Sequence, residues 1–253
     1  MGVKGLSKVI KDLGNERDLS YYQGLCIALD ASIWMYAYAY NCEDVSVFLK
    51  KFVNQVKKFE KHKIKPIYVF DGEPPILKQK TILDRKEIKE KYKKNLDSED
   101  ADIRNKAKKN LIEISEYIPK LQELFDEMNI EYILSDTEAE KECANLYKKN
   151  LVGAVFSNDL DTLLYGCETL VTYKSGVYTE YSLTNILDNY NITLQELIDI
   201  CIASGTDYYP KGIHGIGIKK ALKMIKTKGL IEDWGIILHE DFLLDEIRCI
   251  FCE

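Results

Sequence analysis

The stretch that most limits what this chain can fold into is 131–166, EYILSDTEAEKECANLYKKNLVGAVFSNDLDTLLYG, in which two carboxylate pairs, Glu138/Glu140 and Asp159/Asp161, each follow a short apolar run. Ile130 to Leu134 and Val152 to Phe156 are short, bounded and partly β-branched and read as strands. Ala139 to Lys149 reads as a helix, with Asp136 or Thr137 as its N-cap. A strand–helix–strand unit of this kind puts acid beyond the carboxyl end of each strand. In open α/β sheets that edge is where ligands bind, so both pairs are expected to face one space.

Acids at a helix start can simply answer the helix dipole, and for Glu138 and Glu140 alone that reading is as good as a functional one. Two further runs tilt the balance: Leu25 to Leu29 ends in Asp30, and Ile67 to Phe70 ends in Asp71. With Asp207, which follows the apolar run LIDICIASG, seven acids are predicted to converge. Two like charges about 4 Å apart repel by roughly 4 kcal/mol at an effective dielectric near 20, so the charge must be cancelled. Either several carboxylates hold a proton or hard divalent cations sit among them. An oxygen-only donor set without adjacent His or Cys favours Mg²⁺ or Mn²⁺ over zinc.

At 253 residues and 46% hydrophobic content, the chain can bury a large core as one α/β domain or as a domain with a small appendage. No apolar run reaches the length of a membrane span, and MGVKGLSKVI reads as a short amphipathic helix rather than a signal peptide. Gly2 fails as a myristoylation site because Leu6 stands where Ser or Thr is required. The expectation is a soluble, intracellular protein with no membrane partner. The 7 cysteines are scattered and mostly inside apolar runs, as reduced core thiols would be. Cys249 and Cys252 form the one C-x-x-C, without a second pair to complete a zinc site; His62 and His239 read as surface residues.

A net charge of −6 argues against nucleic acid only until its distribution is considered. Seven acids belong to one cluster, and the bases concentrate in 50–65, 78–109 and 211–228. Local patches, not the total, hold a phosphate backbone. Of 35 basic residues only Arg17, Arg85, Arg104 and Arg248 are arginine, so the places where Arg stands are informative.

Along the chain, residues 1–19 are expected to be helical ahead of the first strand. Helices follow Asp30 over Ala31 to Tyr40 and Val45 to Lys61, parted by an acidic break at 41–44. Pro66 opens the second strand, and Gly72 to Pro75 turn the chain after Asp71. From Ile76 to about Leu96 the sequence reads as a long charged helix, and after a break at 97–100 a second is expected to run to Met128. A hairpin so poor in apolar residues cannot be core. Its plain reading is a solvated face. The other is that Lys78 and Arg85, seven apart and so on one helix face, with Lys89 a turn further, reach a phosphate near Asp71.

Thr169 to Lys174 and Val177 to Tyr181 read as a hairpin around Ser175-Gly176, with helices at Leu183 to Asn189 and Thr193 to Ala203. Gly215 and Gly217 then open a helix over Lys219 to Lys226. A glycine turn at a helix N-terminus lets backbone N–H groups approach an anion, and Lys219, Lys220 and Lys223 add charge. This reads as a clamp on duplex phosphates that is blind to sequence, with His214 as turn filler or a further contact. Residues 230–253 carry apolar stripes and are expected to pack back on the fold.

Taken in order, MGVKGL, IALDAS, YVFDGEPP, Glu138-Ala139-Glu140, Asp159-Leu160-Asp161 and SGTDY followed by GIGIKKA resemble the motifs of the flap endonuclease family of structure-specific 5′ nucleases. The resemblance runs from residue 1 to about 226. It implies a PIN-like α/β fold, a central mainly parallel sheet flanked by helices, with a helical arch and a helix–two-turn–helix DNA-binding element. One 5′ nuclease domain would span 1–253: nuclease motifs in 1–95 and 130–182, the arch in 76–128, the helix–two-turn–helix region in 183–228 and a C-terminal helical segment in 229–253.

The resemblance further implies Asp30, Asp71, Glu138, Glu140, Asp159, Asp161 and Asp207 as metal-binding acids around two Mg²⁺ ions, with Mn²⁺ as a substitute. Lys78 and Arg85 match the arch-base pair on the scissile phosphate, Tyr36 the aromatic that stacks on the terminal base, and Gly2 a residue lying near the substrate. The Gly215/Gly217 turn matches the element holding a K⁺ ion against DNA. The implied reaction is two-metal hydrolysis of DNA near single/double-strand junctions, by a monomer, giving a 5′-phosphate and a 3′-hydroxyl in replication, repair or recombination. Cleavage of 5′ flaps, 5′→3′ exonuclease action and junction cleavage are left open. A metal-dependent phosphomonoesterase and a non-catalytic DNA-junction binder are the rivals. The segment from Tyr36 to Phe52 is shorter than in typical members, and no C-terminal sliding-clamp peptide is visible. Neither a 3′-flap pocket nor clamp tethering is therefore carried over.

Overall fold

Apolar runs that end in carboxylates become the middle of one sheet in the computed structural model, which describes residues 2–40, 42, 44–239 and 242–252. Its strands are β1 (Asn15–Arg17), β2 (Cys26–Asp30), β3 (Lys65–Phe70), β4 (Glu131–Leu134), β5 (Ala154–Phe156), β6 (Thr169–Lys174) and β7 (Val177–Ser182). They lie in the order β1-β7-β6-β5-β2-β3-β4. β4, β3, β2, β5 and β6 are parallel, β7 runs antiparallel to β6, and β1 antiparallel to β7. From β2 the chain steps one way to β3 and β4 and the other way to β5 and β6. That reversal is a topological switch point, with the carboxyl ends of β2, β3, β4 and β5 on one edge.

The period of two sorts the central strands between two cores: Ile27, Leu29, Tyr68, Phe70 and Phe156 face one, and Ala28, Ile67, Val69 and Val155 the other. Over the first pack α2 (Ala31–Ala39), α3 (Val45–Lys61) and α6 (Ile118–Met128), whose Phe52 and Phe125 interleave with Tyr68. Over the second lie α1 (Leu6–Ile10), α7 (Ala139–Lys148), α9 (Leu194–Ser204), α10 (Ile218–Lys228) and α11 (Leu244–Cys252), while α8 (Leu183–Tyr190) follows β7. α4 (Gln79–Lys93) and α5 (Ala101–Asn110) pack on each other as a charged hairpin. Among the described residues no helix is long and apolar enough to cross a membrane. All seven cysteines are free thiols, Cys249 and Cys252 exposed on α11.

Three expectations are corrected. Residues 1–19 are not one helix: α1 passes into a short 3₁₀ turn and then β1, whose polar residues show no alternation and become a strand through β7. The second charged helix does not run unbroken to Met128. It stops at Asn110, and α6 starts afresh with Pro119 in its first turn, where a missing N–H costs nothing. The expected 41–44 break falls partly outside the described residues, at Asn41 and Glu43. Nor does Asp136 or Thr137 cap α7, whose first N–H is taken by Asp71.

Candidate metal and nucleic-acid site

Six of the seven acids stand at the carboxyl edge of the sheet: Asp30 ends β2, Asp71 follows β3, Glu138 and Glu140 follow β4, and Asp159 and Asp161 follow β5. Local bonds fix them. Asp30 caps α2, accepting from the Ser32 and Ile33 N–H groups at 3.0 and 3.4 Å. Asp71 caps α7 from the neighbouring strand, accepting from the Ala139 N–H at 2.9 Å. Asp159 accepts from the Asp161 N–H at 3.2 Å, and Asp161 from the Val3 N–H at 2.7 Å. The predicted cap by Asp136 or Thr137 is thus replaced. Glu138 occupies the N-cap position but turns its side chain to Lys78 and Tyr208. Asp71 can reach α7 because Gly72 lies against the next loop, where a Cβ would overlap the Ser135 carbonyl oxygen.

Asp30, Glu138, Glu140 and Asp161 are buried. Burial, followed by the charges of Asp71 and Asp159, pushes Asp30 up to about 7. Burial, then Asp30 and Asp159, lifts Glu140 well above the ordinary carboxyl range, and burial, then Asp159, does the same to Asp161. Asp207, after α9, completes the group. It pairs with Arg85 at 2.5 Å and lies 3.5 Å from Lys78, which also pairs with Glu138. Two of the chain's own cations, Lys78 and Arg85, thus meet part of the charge, a route beside the protons and divalent cations that the sequence suggested. Among the described residues, no three of these groups are gathered into a coordination shell. The donor chemistry fits a hard cation all the same. The acids offer only carboxylate oxygen, and burial, with Asp30 and Glu140, pushes the nearby Cys143 thiol far above its ordinary value, so no thiolate competes.

Gly2 (φ +67°) sits so close to Asp159 and Asp161 that a Cβ would overlap both carboxylates. Gly2→Ala, strained at this φ, is expected to misplace the pair and lower single-turnover activity by about 10²-fold, with a fall in melting temperature of a few degrees by calorimetry. Tyr36 projects from α2 and is 46% exposed. Lys89 does not join Lys78 and Arg85 at the acids: it pairs with Glu113 at 2.9 Å, tying α4 to the segment after α5.

Gly215 (φ +71°) and Gly217 precede α10, on which Lys219, Lys220 and Lys223 are exposed; Lys220 Nζ donates to the Gly215 carbonyl at 3.2 Å. A groove of about 610 Å³ joins Gly217, Lys219 and Lys220 to Lys4 and Lys8. Sequence reading missed those two lysines; their spacing of four in the N-terminal amphipathic segment was the available signal. It also missed Tyr208, whose hydroxyl donates to Glu138, and Tyr165, whose hydroxyl lies 2.6 Å from that of Tyr208. Tyr208 is next to Asp207, which could have flagged it. Nothing local marks Tyr165.

Family models for the XPG N-terminal domain and the XPG I-region match residues 1–92 and 129–207. The flap endonuclease 1 of Salmo salar is 32% identical over 290 residues, covering 100% of this chain and 75% of its own. The chain belongs to the flap endonuclease family. Its fold matches the flap endonuclease-1 from Methanococcus jannaschii with a TM-score of 0.72 at 29% identity, over 96% of this chain and 83% of that one. The catalytic core of Rad2 in complex with DNA substrate gives a TM-score of 0.79 at 23% identity, over 99% and 86%. In this flap endonuclease family member, then, both the XPG N-terminal and I-region matches bring acids to the same sheet edge: Asp30 and Asp71 from the first, Glu138, Glu140, Asp159 and Asp161 from the second, which also ends on Asp207.

Proposed function

We propose that this chain is a structure-specific 5′ nuclease that hydrolyses DNA phosphodiesters near single/double-strand junctions, leaving a 5′-phosphate and a 3′-hydroxyl, in DNA replication, repair or recombination. The observation that carries the reading is the placing of six acids on one sheet edge, with Asp207 joined to them through Lys78, and Lys78 and Arg85 set against the group. Asp30, Asp71, Glu138, Glu140, Asp159 and Asp161 would hold two Mg²⁺ ions, or Mn²⁺, with Asp207 the outermost member. When bound, such ions supply Lewis-acid activation of water and of the leaving oxygen.

The chain's own groups do the rest. An arriving scissile phosphate gives Lys78 and Arg85 a new anion, so they exchange Glu138 and Asp207 for phosphate oxygens and stabilise charge developing there. The recessed acids are out of reach of a stacked duplex end, so the terminal nucleotides unpair and Tyr36 offers them a stacking face. α4 and α5 form the arch, and α9 and α10 with the turn between them form the helix–two-turn–helix. Gly215, Gly217, Lys219, Lys220 and Lys223, joined by Lys4 and Lys8, grip duplex phosphates, with a K⁺ ion at the glycine turn. The protein is read as acting as a monomer.

Lys78→Ala is expected to lower the single-turnover rate by about 10²–10³-fold while changing DNA affinity little; equal losses would reduce Lys78 to a phosphate-tracking residue. The deciding test of the function compares 5′-flap, gapped, blunt-duplex and four-way-junction DNA with Mg²⁺, with Asp159→Asn as a control that binds without cutting. Cleavage of none of them would leave only a DNA-junction binder, and hydrolysis of an aryl phosphate alone would favour a phosphomonoesterase.

A further inference from the structure

Tyr165 and Tyr208 lie on different segments, one just after the Asp159/Asp161 turn and one just after Asp207, yet both are buried with their hydroxyls 2.6 Å apart. A neutral phenol has one proton to give. Tyr208 gives its proton to Oε2 of Glu138, so the hydrogen in the Tyr165–Tyr208 contact must come from Tyr165. With that proton committed to Glu138, the order of donation is Tyr165→Tyr208→Glu138. The rings have little freedom. Phe251 of α11 packs on both, with centroids 5.2 Å from Tyr165 and 5.5 Å from Tyr208, while Lys78 Nζ lies 5.9 Å from the centroid of the Tyr208 ring. Glu138 is thus held at Oε1 by Lys78 and at Oε2 by a two-phenol chain.

We infer that Tyr165 is a positioning residue of the active site, which acts through Tyr208 to aim the Glu138 carboxylate toward a bound cation. The inference rests on the nuclease reading above. Without the second phenol, the Tyr208 hydroxyl has a free lone pair and loses the partner that sets its direction. Glu138 then keeps a donor whose aim is less well fixed. The effect of Tyr165 should therefore exist only where Tyr208 has a hydroxyl to transmit it.

The test is a cycle of Tyr165→Phe, Tyr208→Phe and the double variant, each confirmed as folded by thermal melting. Two readouts are taken: single-turnover cleavage of a 5′-flap DNA with Mg²⁺, and Mn²⁺ binding by calorimetry to the DNA-free protein. Tyr208→Phe should weaken both roughly tenfold or more, and Tyr165→Phe by a smaller factor, with DNA affinity in Ca²⁺ unchanged. The double variant should match Tyr208→Phe alone. If Tyr165→Phe matches wild type in Mn²⁺ binding, or if it weakens that binding by the same factor with and without the Tyr208 hydroxyl, the relay is refuted. Because Mn²⁺ binding is read without DNA, a protein that cuts no flap would overturn the nuclease reading and still report on the relay.

Discussion

Asp30→Asn should yield a protein that is more stable than wild type without metal and nearly inactive with it. The side chain is buried at the end of β2, and Asn keeps the oxygen that caps α2 through the Ser32 and Ile33 N–H groups. What it removes is charge. Burial, Asp71 and Asp159 lift the Asp30 carboxyl from an ordinary 3.8 to about 7, so between those values the folded chain holds a proton that the unfolded chain has released. Wild-type stability without metal is therefore lost as pH rises through that window, by an amount on the order of 4 kcal/mol in full. Between pH 5 and 8 in EDTA, the urea midpoint of wild type should fall and that of Asp30→Asn should stay flatter. Mg²⁺ should reverse the wild-type loss at pH 8 more than it helps the variant, since only a bound ligand that prefers the folded chain can do so. On the proposed ligand set, loss of this carboxylate should slow cleavage by about 10³-fold. Parallel slopes for the two proteins would show that Asp30 is not where the strain of the cluster resides.

That strain could be foreseen because its cause is local in sequence. A strand that ends in a carboxylate is visible in five or six residues, and the parallel arrangement converts several such endings into one edge. What sequence could not give was which group answers which acid. Lys78 meets Glu138 and Asp71 caps α7 across long loops, and Tyr165 finds Tyr208 only once α9 is docked. β1 was hidden for another reason: three polar residues carry no strand pattern, and its place is set by β7, with Arg17 on Glu180 at 3.1 Å. The scarcity of Arg was informative. Arg17, Arg85 and Arg248 each pair with a carboxylate and Arg104 donates to the Ser98 carbonyl; only at Arg248, which holds both oxygens of Asp199, is the planar fork of donors used.

Arg248 has the largest structural consequence. Asp199, in the middle of α9, is 0% exposed and accepts from Arg248 Nε at 2.7 Å and Nη2 at 2.5 Å, with the Ile231 N–H at 3.1 Å and Gln195 Nε2 at 3.3 Å as further donors. Replacing Arg248 with Leu leaves that carboxylate charged and without its cation, which is expected to cost about 3–5 kcal/mol of stability. Putting Asn at 199 in the same chain removes the stranded charge and should recover most of the loss, whereas an additive double variant would mean that Arg248 acts only by packing. Glu232 adds a small, separable term. The Arg248 hydrogen bond is the main cause that holds its carboxyl down at about 2 against an ordinary 4.5. Its contribution is therefore present above 4.5 and is lost as pH falls toward 2, and it is modest because the Glu232 side chain is 53% exposed. The same ion pair ties α11 to α9 and so keeps Phe251 against Tyr165 and Tyr208. Arg248→Leu should therefore lose cleavage at a lower temperature than its own global unfolding, with the two transitions separated by following activity and circular dichroism on one heating ramp. Coincident transitions would place Arg248 in the stability of the whole domain and outside the tuning of the site.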